Sequence, residues 1–147
     1  MNENPFVGAW RLVSLESRTS DGIVGHPWGR DPKGYFIFSA DGHVSVAVMS
    51  AKRPRFVSGD LLGGTKEEKA AAAETYLSYV GRYEVRGNKL TVHFEVSLFP
   101  NWVGKDQERF FEFHGNRFTL STPPILIKGK KVTTHGIWER ASENSQV

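Results

Sequence analysis

Along most of this chain apolar and polar residues alternate with a period of two, the pattern of strands that bury one face. Stretches of this kind, rich in β-branched and aromatic residues, cover Gly8–Ser17, Gly34–Ser39, His43–Met49, Tyr79–Val85, Lys89–Phe99, Gln107–His114, Arg117–Thr122 and Lys131–Arg140. They predict eight strands. The segment from Lys66 to Leu77 breaks the rhythm, with strong helix formers and neither Gly nor Pro. Thr65, with Glu68 three residues on, has the spacing of a capping box, so one helix is expected over residues 66–78.

The connections are as informative as the strands. Ala40-Asp41-Gly42, Arg86-Gly87-Asn88 and Gly115-Asn116 have the composition of tight hairpin turns. The connections between them, over residues 18–33, 50–78, 100–106 and 123–130, are long, and long and short alternate throughout. In an up-and-down sheet, alternate connections lie at opposite ends. The expected fold is therefore all-β: an eight-stranded antiparallel barrel, closed at the tight-turn end, with a mouth built from the long loops. A flat sheet covered by the single helix is the alternative, and it leaves too many aromatic rings uncovered.

Turn geometry also sets which side chains face inward. A two-residue turn at Gly115-Asn116 pairs Phe113 with Phe118 and Phe111 with Leu120, and sets Arg109 opposite Thr122 on the same aromatic face. Gln107 follows toward the mouth, while Glu108, Glu112 and His114 take the outer face. The same reasoning at Gly87-Asn88 sets Tyr83 beside Val92 and Val85 beside Leu90, with Tyr79, Phe94, Val96 and Leu98 on that face. It leaves His93 and Glu95 facing water unless a bulge reverses the parity of the strand. Arg109 inside an aromatic lumen requires a carboxylate, from the protein or from a ligand.

Composition narrows the possibilities. The chain has 147 residues, 39% hydrophobic and 12% aromatic, with 10 Phe, 4 Trp and 4 Tyr spread along it. That length suits one domain, expected over residues 1–141 with a flexible polar tail at 142–147. The 19 basic and 16 acidic residues are interspersed, so the net charge of +3 gives no continuous basic face for nucleic acid. The absence of Cys excludes disulfides, thiol catalysis and thiolate metal sites. The five His residues stand singly, without the spacing of a metal-ligand pair, and there is no Gly-x-Ser-x-Gly elbow. No apolar run reaches membrane-spanning length, so no membrane insertion is expected. The opening Met1-Asn2-Glu3-Asn4-Pro5-Phe6 lacks a signal-peptide pattern, and a cytoplasmic location is expected.

The stretch Phe6-Val7-Gly8-Ala9-Trp10 resembles the Gly-x-Trp opening of the lipocalin and fatty-acid-binding-protein superfamily, and Trp138-Glu139-Arg140 supplies a late Arg in the last strand. The resemblance implies that Trp10 plugs the closed end and that Arg140 covers its ring. Nearly the whole chain is similar to lipocalin-like domain proteins of bacteria and fungi. The matching stretches are Gly29–Tyr35, Ala40–Val46, Ser58–Thr65, Glu95–Gly104, Thr122–Ile125 and Trp138–Arg140. The helix after the third strand departs from ordinary lipocalins, whose helix follows the barrel, and from fatty-acid-binding proteins, whose helical lid follows strand one. Glu95 and Ser97 lie inside the most distinctive matching stretch, which implies an inward Glu95 and makes it the natural partner of Arg109.

These readings predict a protein that holds a small, largely apolar molecule in the barrel, without a cofactor or metal. The expected ligand-binding residues are Tyr79, Tyr83, His93, Phe94, Glu95, Asn101, Trp102, Gln107, Arg109 and Phe111. Trp28 and Trp102, too costly to expose, are expected to fold over the opening, with local packing between loops as the alternative. Some lipocalin-like relatives are isomerases or cyclases of natural-product pathways. The second reading is therefore a cofactor-free enzyme using Glu95, His93 or Tyr83. The sequence pattern specifies neither one ligand nor an oligomeric state.

Overall fold

The computed structural model describes residues 4–141; the expected tail at 142–147 lies outside them. Eight antiparallel strands form the barrel: β1 (Gly8–Arg18), β3 (Lys33–Phe38), β4 (His43–Met49), β5 (Tyr76–Arg86), β6 (Lys89–Ser97), β7 (Asp106–His114), β8 (Arg117–Ser121) and β10 (Lys130–Arg140). Chain neighbours pair, and β1 closes against β10 from Trp10↔Arg140 to Arg18↔Thr133. Closure removes the free edges that an open sheet exposes. Two short strands that the alternation pattern does not reveal lie in the long connections. They are β2 (Val24–Gly25), paired with the end of β1, and β9 (Ile125–Ile127), paired with the start of β10.

Helix α1 spans Lys66–Glu74, four residues shorter than expected. Its capping box is present: Glu68 donates its backbone N–H to the Thr65 hydroxyl, and the Glu68 carboxylate accepts from the Thr65 N–H. Thr75 ends the helix by donating its backbone N–H to Ala71. Tyr76, Leu77 and Ser78, expected to be helical, pair instead with Met49, Val48 and Ala47. Strand pairing overrides helix propensity there.

The closed end is filled with rings. Phe6, fully buried, has its ring centroid 4.8 Å from those of Phe38 and Phe111, 4.9 Å from Phe113 and 5.2 Å from Phe118. Trp10 lies beside them, with its indole N–H donated to the Phe6 carbonyl at 2.9 Å. The Arg140 guanidinium covers the Trp10 ring at 4.0 Å and donates to the Val7 and Pro5 carbonyls, so it also pins the N-terminal segment that carries Phe6. Gly8 makes this approach possible. It has φ +120°, and a Cβ there would lie 2.7 Å from the Arg140 guanidinium.

Two bulges decide which side chains enter the barrel. In β1 the register shifts between Leu12 and Ser14, so Leu12 and Leu15 both face inward although they are three residues apart. Between β5 and β6, Gly81 pairs with Phe94 while Val80 pairs with Val96, which leaves Glu95 as the extra residue. Gly81 is the requirement for that bulge, because a Cβ there would lie 1.8 Å from the His93 carbonyl oxygen.

Candidate functional site

The mouth half of the barrel is not filled. It encloses a cavity of about 60 Å³ whose wall includes Leu15, Phe36, Val46, Val48, Leu77 and Trp138. Its polar side chains are those of Tyr79, Arg109, Thr122 and Thr134, with the indoles of Trp28, Trp102 and Trp138. Inward residues on alternating positions of β4, β5 and β10 supply nearly half of this wall, as the pleat requires. Two loop tryptophans close it. Trp28 belongs to the β2–β3 connection, and Trp102 to a short 3-10 turn, Pro100–Trp102, after β6. Trp102 stacks on Phe94 with centroids 5.1 Å apart and meets the Tyr79 ring edge-on at 6.1 Å.

Arg109 points inward, as its phase with Phe111 and Phe113 requires, and is only 8% exposed. The β7–β8 ladder stops at Phe110↔Ser121, one residue short of the expected Arg109–Thr122 pair, yet both side chains line the cavity. One guanidinium nitrogen donates to Gln107 Oε1 at 2.8 Å, and the group lies 5.6 Å from the centroid of the Tyr79 ring. Its Nε is buried, with no hydrogen-bond partner among the described residues. Burial pushes the Tyr79 phenol above its ordinary pKa, with Arg109 opposing, so Tyr79 stays neutral and is no counter-charge.

Of the ten expected ligand residues, Tyr79, Trp102 and Arg109 meet at the cavity. Phe94 backs Trp102, and Gln107 holds Arg109. Tyr83 and Phe111 instead belong to the closed half. The Tyr83 hydroxyl donates to Ser39 O and accepts from Asn4 Nδ2, and the Phe111 ring packs on Phe6. Asn101 is exposed on the 3-10 turn.

His93 and Glu95, expected among the ligand residues, lie on the outer wall instead. Glu95 accepts from Arg82 at 2.8 Å, and His93 bridges Asp106 at 2.7 Å and Glu84 at 2.8 Å. The bulge at Glu95 reverses parity only beyond it. Phe94 stays inside, His93 and Glu95 stay outside, and Ser97 rather than Val96 comes opposite inward Tyr79. Val96 and Leu98, expected on the inner face, are 64% and 39% exposed. Arg53, on the long connection after β4, clamps the C-terminal end of α1 through Ala72 O and Thr75 Oγ1.

Sequence reasoning missed Trp138 and Phe36 as wall residues. The signal was present in parity: Trp138 is two residues from Arg140 and Phe36 two from Phe38. Among the described residues no cluster of His, Asp or Glu has the arrangement of a metal site. No described helix is long and apolar enough to cross a membrane.

The chain is similar to several known proteins. The 4'-hydroxy-3'-methoxypropiophenone carrier protein ppsC of Aspergillus oryzae is 33% identical over 106 residues, covering 66% of this chain and 96% of that protein. A lipocalin-like protein from Bacteroides uniformis has a similar structure, with a TM-score of 0.49 at 14% identity, covering 94% of this chain and all of the other. An uncharacterized protein from Bacteroides eggerthii gives a TM-score of 0.47 at 13% identity, covering 92% of this chain and 99% of the other. The sequence pattern of the lipocalin-like domain matches residues 7–141, from the segment before Trp10 to the residue after Arg140, and the chain belongs to the lipocalin-like domain family.

Proposed function

We propose that this protein is a carrier that takes a small, largely apolar aromatic molecule into the mouth half of its barrel and releases it unchanged. The observation that carries this reading is the cavity wall, apolar and aromatic except for a few placed polar groups. Such a wall holds a ligand by burial and orients it through those groups. The A. oryzae relative is named as the carrier of a propiophenone, a phenyl ketone of this character. An engineered cavity of roughly 150 Å³ holds benzene, so about 60 Å³ is too small for a substituted ring until side chains move. Trp28 and Trp102, half-buried on loops, are placed to make that movement.

The enzyme reading depended on Glu95, His93 or Tyr83. The first two face water and the third is bonded at the closed end, so none of them supports acid–base chemistry in this cavity.

Titration with 4'-hydroxy-3'-methoxypropiophenone, followed by tryptophan fluorescence and calorimetry, tests the carrier reading. The expected result is saturable one-to-one binding with Kd on the order of 1–100 μM. Trp102→Ala should weaken it about tenfold, the value of a lost aromatic contact. No saturable binding across a panel of aryl ketones, or conversion of the ligand to a new product, would overturn the proposal.

A further inference from the structure

We infer that the cavity takes its ligand as an anion, with the ionised oxygen against Arg109, so that a 4-acylphenol is carried as its phenolate. This rests on the carrier reading and specifies the chemical class of its ligand. Arg109 is buried, its one hydrogen bond goes to neutral Gln107, and its Nε has no partner among the described residues. The groups around it are neutral: Tyr79 from β5, Leu90 opposite it on β6, Leu120 and Thr122 on the β8 side, and Thr134 from β10.

The nearby carboxylates are outside and engaged elsewhere. Glu95 pairs with Arg82, Glu84 and Asp106 hold His93, and Glu108 lies 3.9 Å from Lys89. Among the described residues, one positive charge therefore faces the cavity without a negative one.

An unpaired cation in an apolar enclosure is costly, and an incoming anion removes that cost without displacing any protein carboxylate. A neutral ligand leaves the charge unmatched. A cation within about 4–6 Å lowers the pKa of an acid by about 1–3 units. A phenol with a carbonyl para to its hydroxyl is a suitable acid, because its phenolate spreads charge onto the carbonyl oxygen. On binding, the phenolic O–H bond breaks, the electron pair stays on the ligand oxygen, and the proton passes to bulk buffer.

The test compares 4'-hydroxy-3'-methoxypropiophenone with its 4'-methyl ether, which cannot ionise, below the phenol's own pKa. The bound phenol should show the red-shifted absorption of the phenolate, and the ether should bind at least tenfold more weakly. Arg109→Met should abolish both the band and the preference, whereas Arg109→Lys should keep the band. If Arg109→Met fails to fold, the wild-type spectrum and the phenol–ether pair still decide the matter. Equal binding of both compounds with an un-ionised spectrum overturns the anion inference and leaves the carrier reading standing. Binding of neither removes both.

Discussion

Trp10 shows how several contacts converge on one side chain. It is 1% exposed, packs its ring on Phe118 at 4.7 Å, donates its N–H to Phe6 and lies beneath Arg140. Trp10→Ala should therefore destabilise the protein by about 3–5 kcal/mol in urea denaturation, the usual loss for emptying a large aromatic site. A loss below about 1 kcal/mol would show that the ring is not the plug. Trp10 and Arg140 were legible in sequence because a family motif marks them. Arg109 was legible because Gly115-Asn116 fixes its phase. Glu95 was legible as an outward residue from the turn at Gly87-Asn88, and only the family resemblance turned it inward; Val96 and Leu98 were not, because the bulge at Glu95 reverses the parity beyond it. The clue was Gly81, an isolated glycine within a strand pattern on the neighbouring strand.

At the scale of elements, α1 contrasts with the barrel. Its nine residues include none that is buried. Its anchors are the capping box, Glu68 accepting from the Val57 N–H, and Arg53 at the C-terminal end. Helices this short are marginal without tertiary support. The amides of α1 should exchange with deuterium through local opening well before those of β4, β5 and β6. Thr65→Ala removes a cap worth about 1 kcal/mol and should speed exchange across α1 roughly fivefold while leaving the barrel amides unchanged. Equal protection of helix and barrel would contradict this picture. Capping chemistry is local, which is why the start of α1 was readable from Thr65 and Glu68. Its end was not, because pairing of Tyr76 with Met49 is a long-range contact.

Two histidines on the outer wall give the whole molecule opposing pH responses. Hydrogen bonds to Asp106 and then Glu84 hold His93 above its ordinary pKa of 6.5. Its stabilising contribution is full below 6.5 and is lost as pH rises through the raised value. Burial holds His135 below 6.5, with Arg18 adding to the effect. Its contribution is full above 6.5 and is lost as pH falls. Denaturation midpoints measured against pH should therefore peak near 6.5. His93→Gln should flatten the alkaline side of that curve, and His135→Gln the acid side near the peak. A curve that His93→Gln leaves unchanged would show that the bridge to Asp106 and Glu84 contributes nothing to stability.

Amide and indole NMR shifts mapped during titration with 4'-hydroxy-3'-methoxypropiophenone distinguish a ligand inside the mouth half from one on the outer wall. With the ligand in the cavity, the largest changes fall on Leu77, Tyr79, Trp102, Arg109 and Trp138, and Arg82, His93 and Glu95 change little. Changes concentrated on Arg82, His93 and Glu95, with the five cavity residues unmoved, would contradict it.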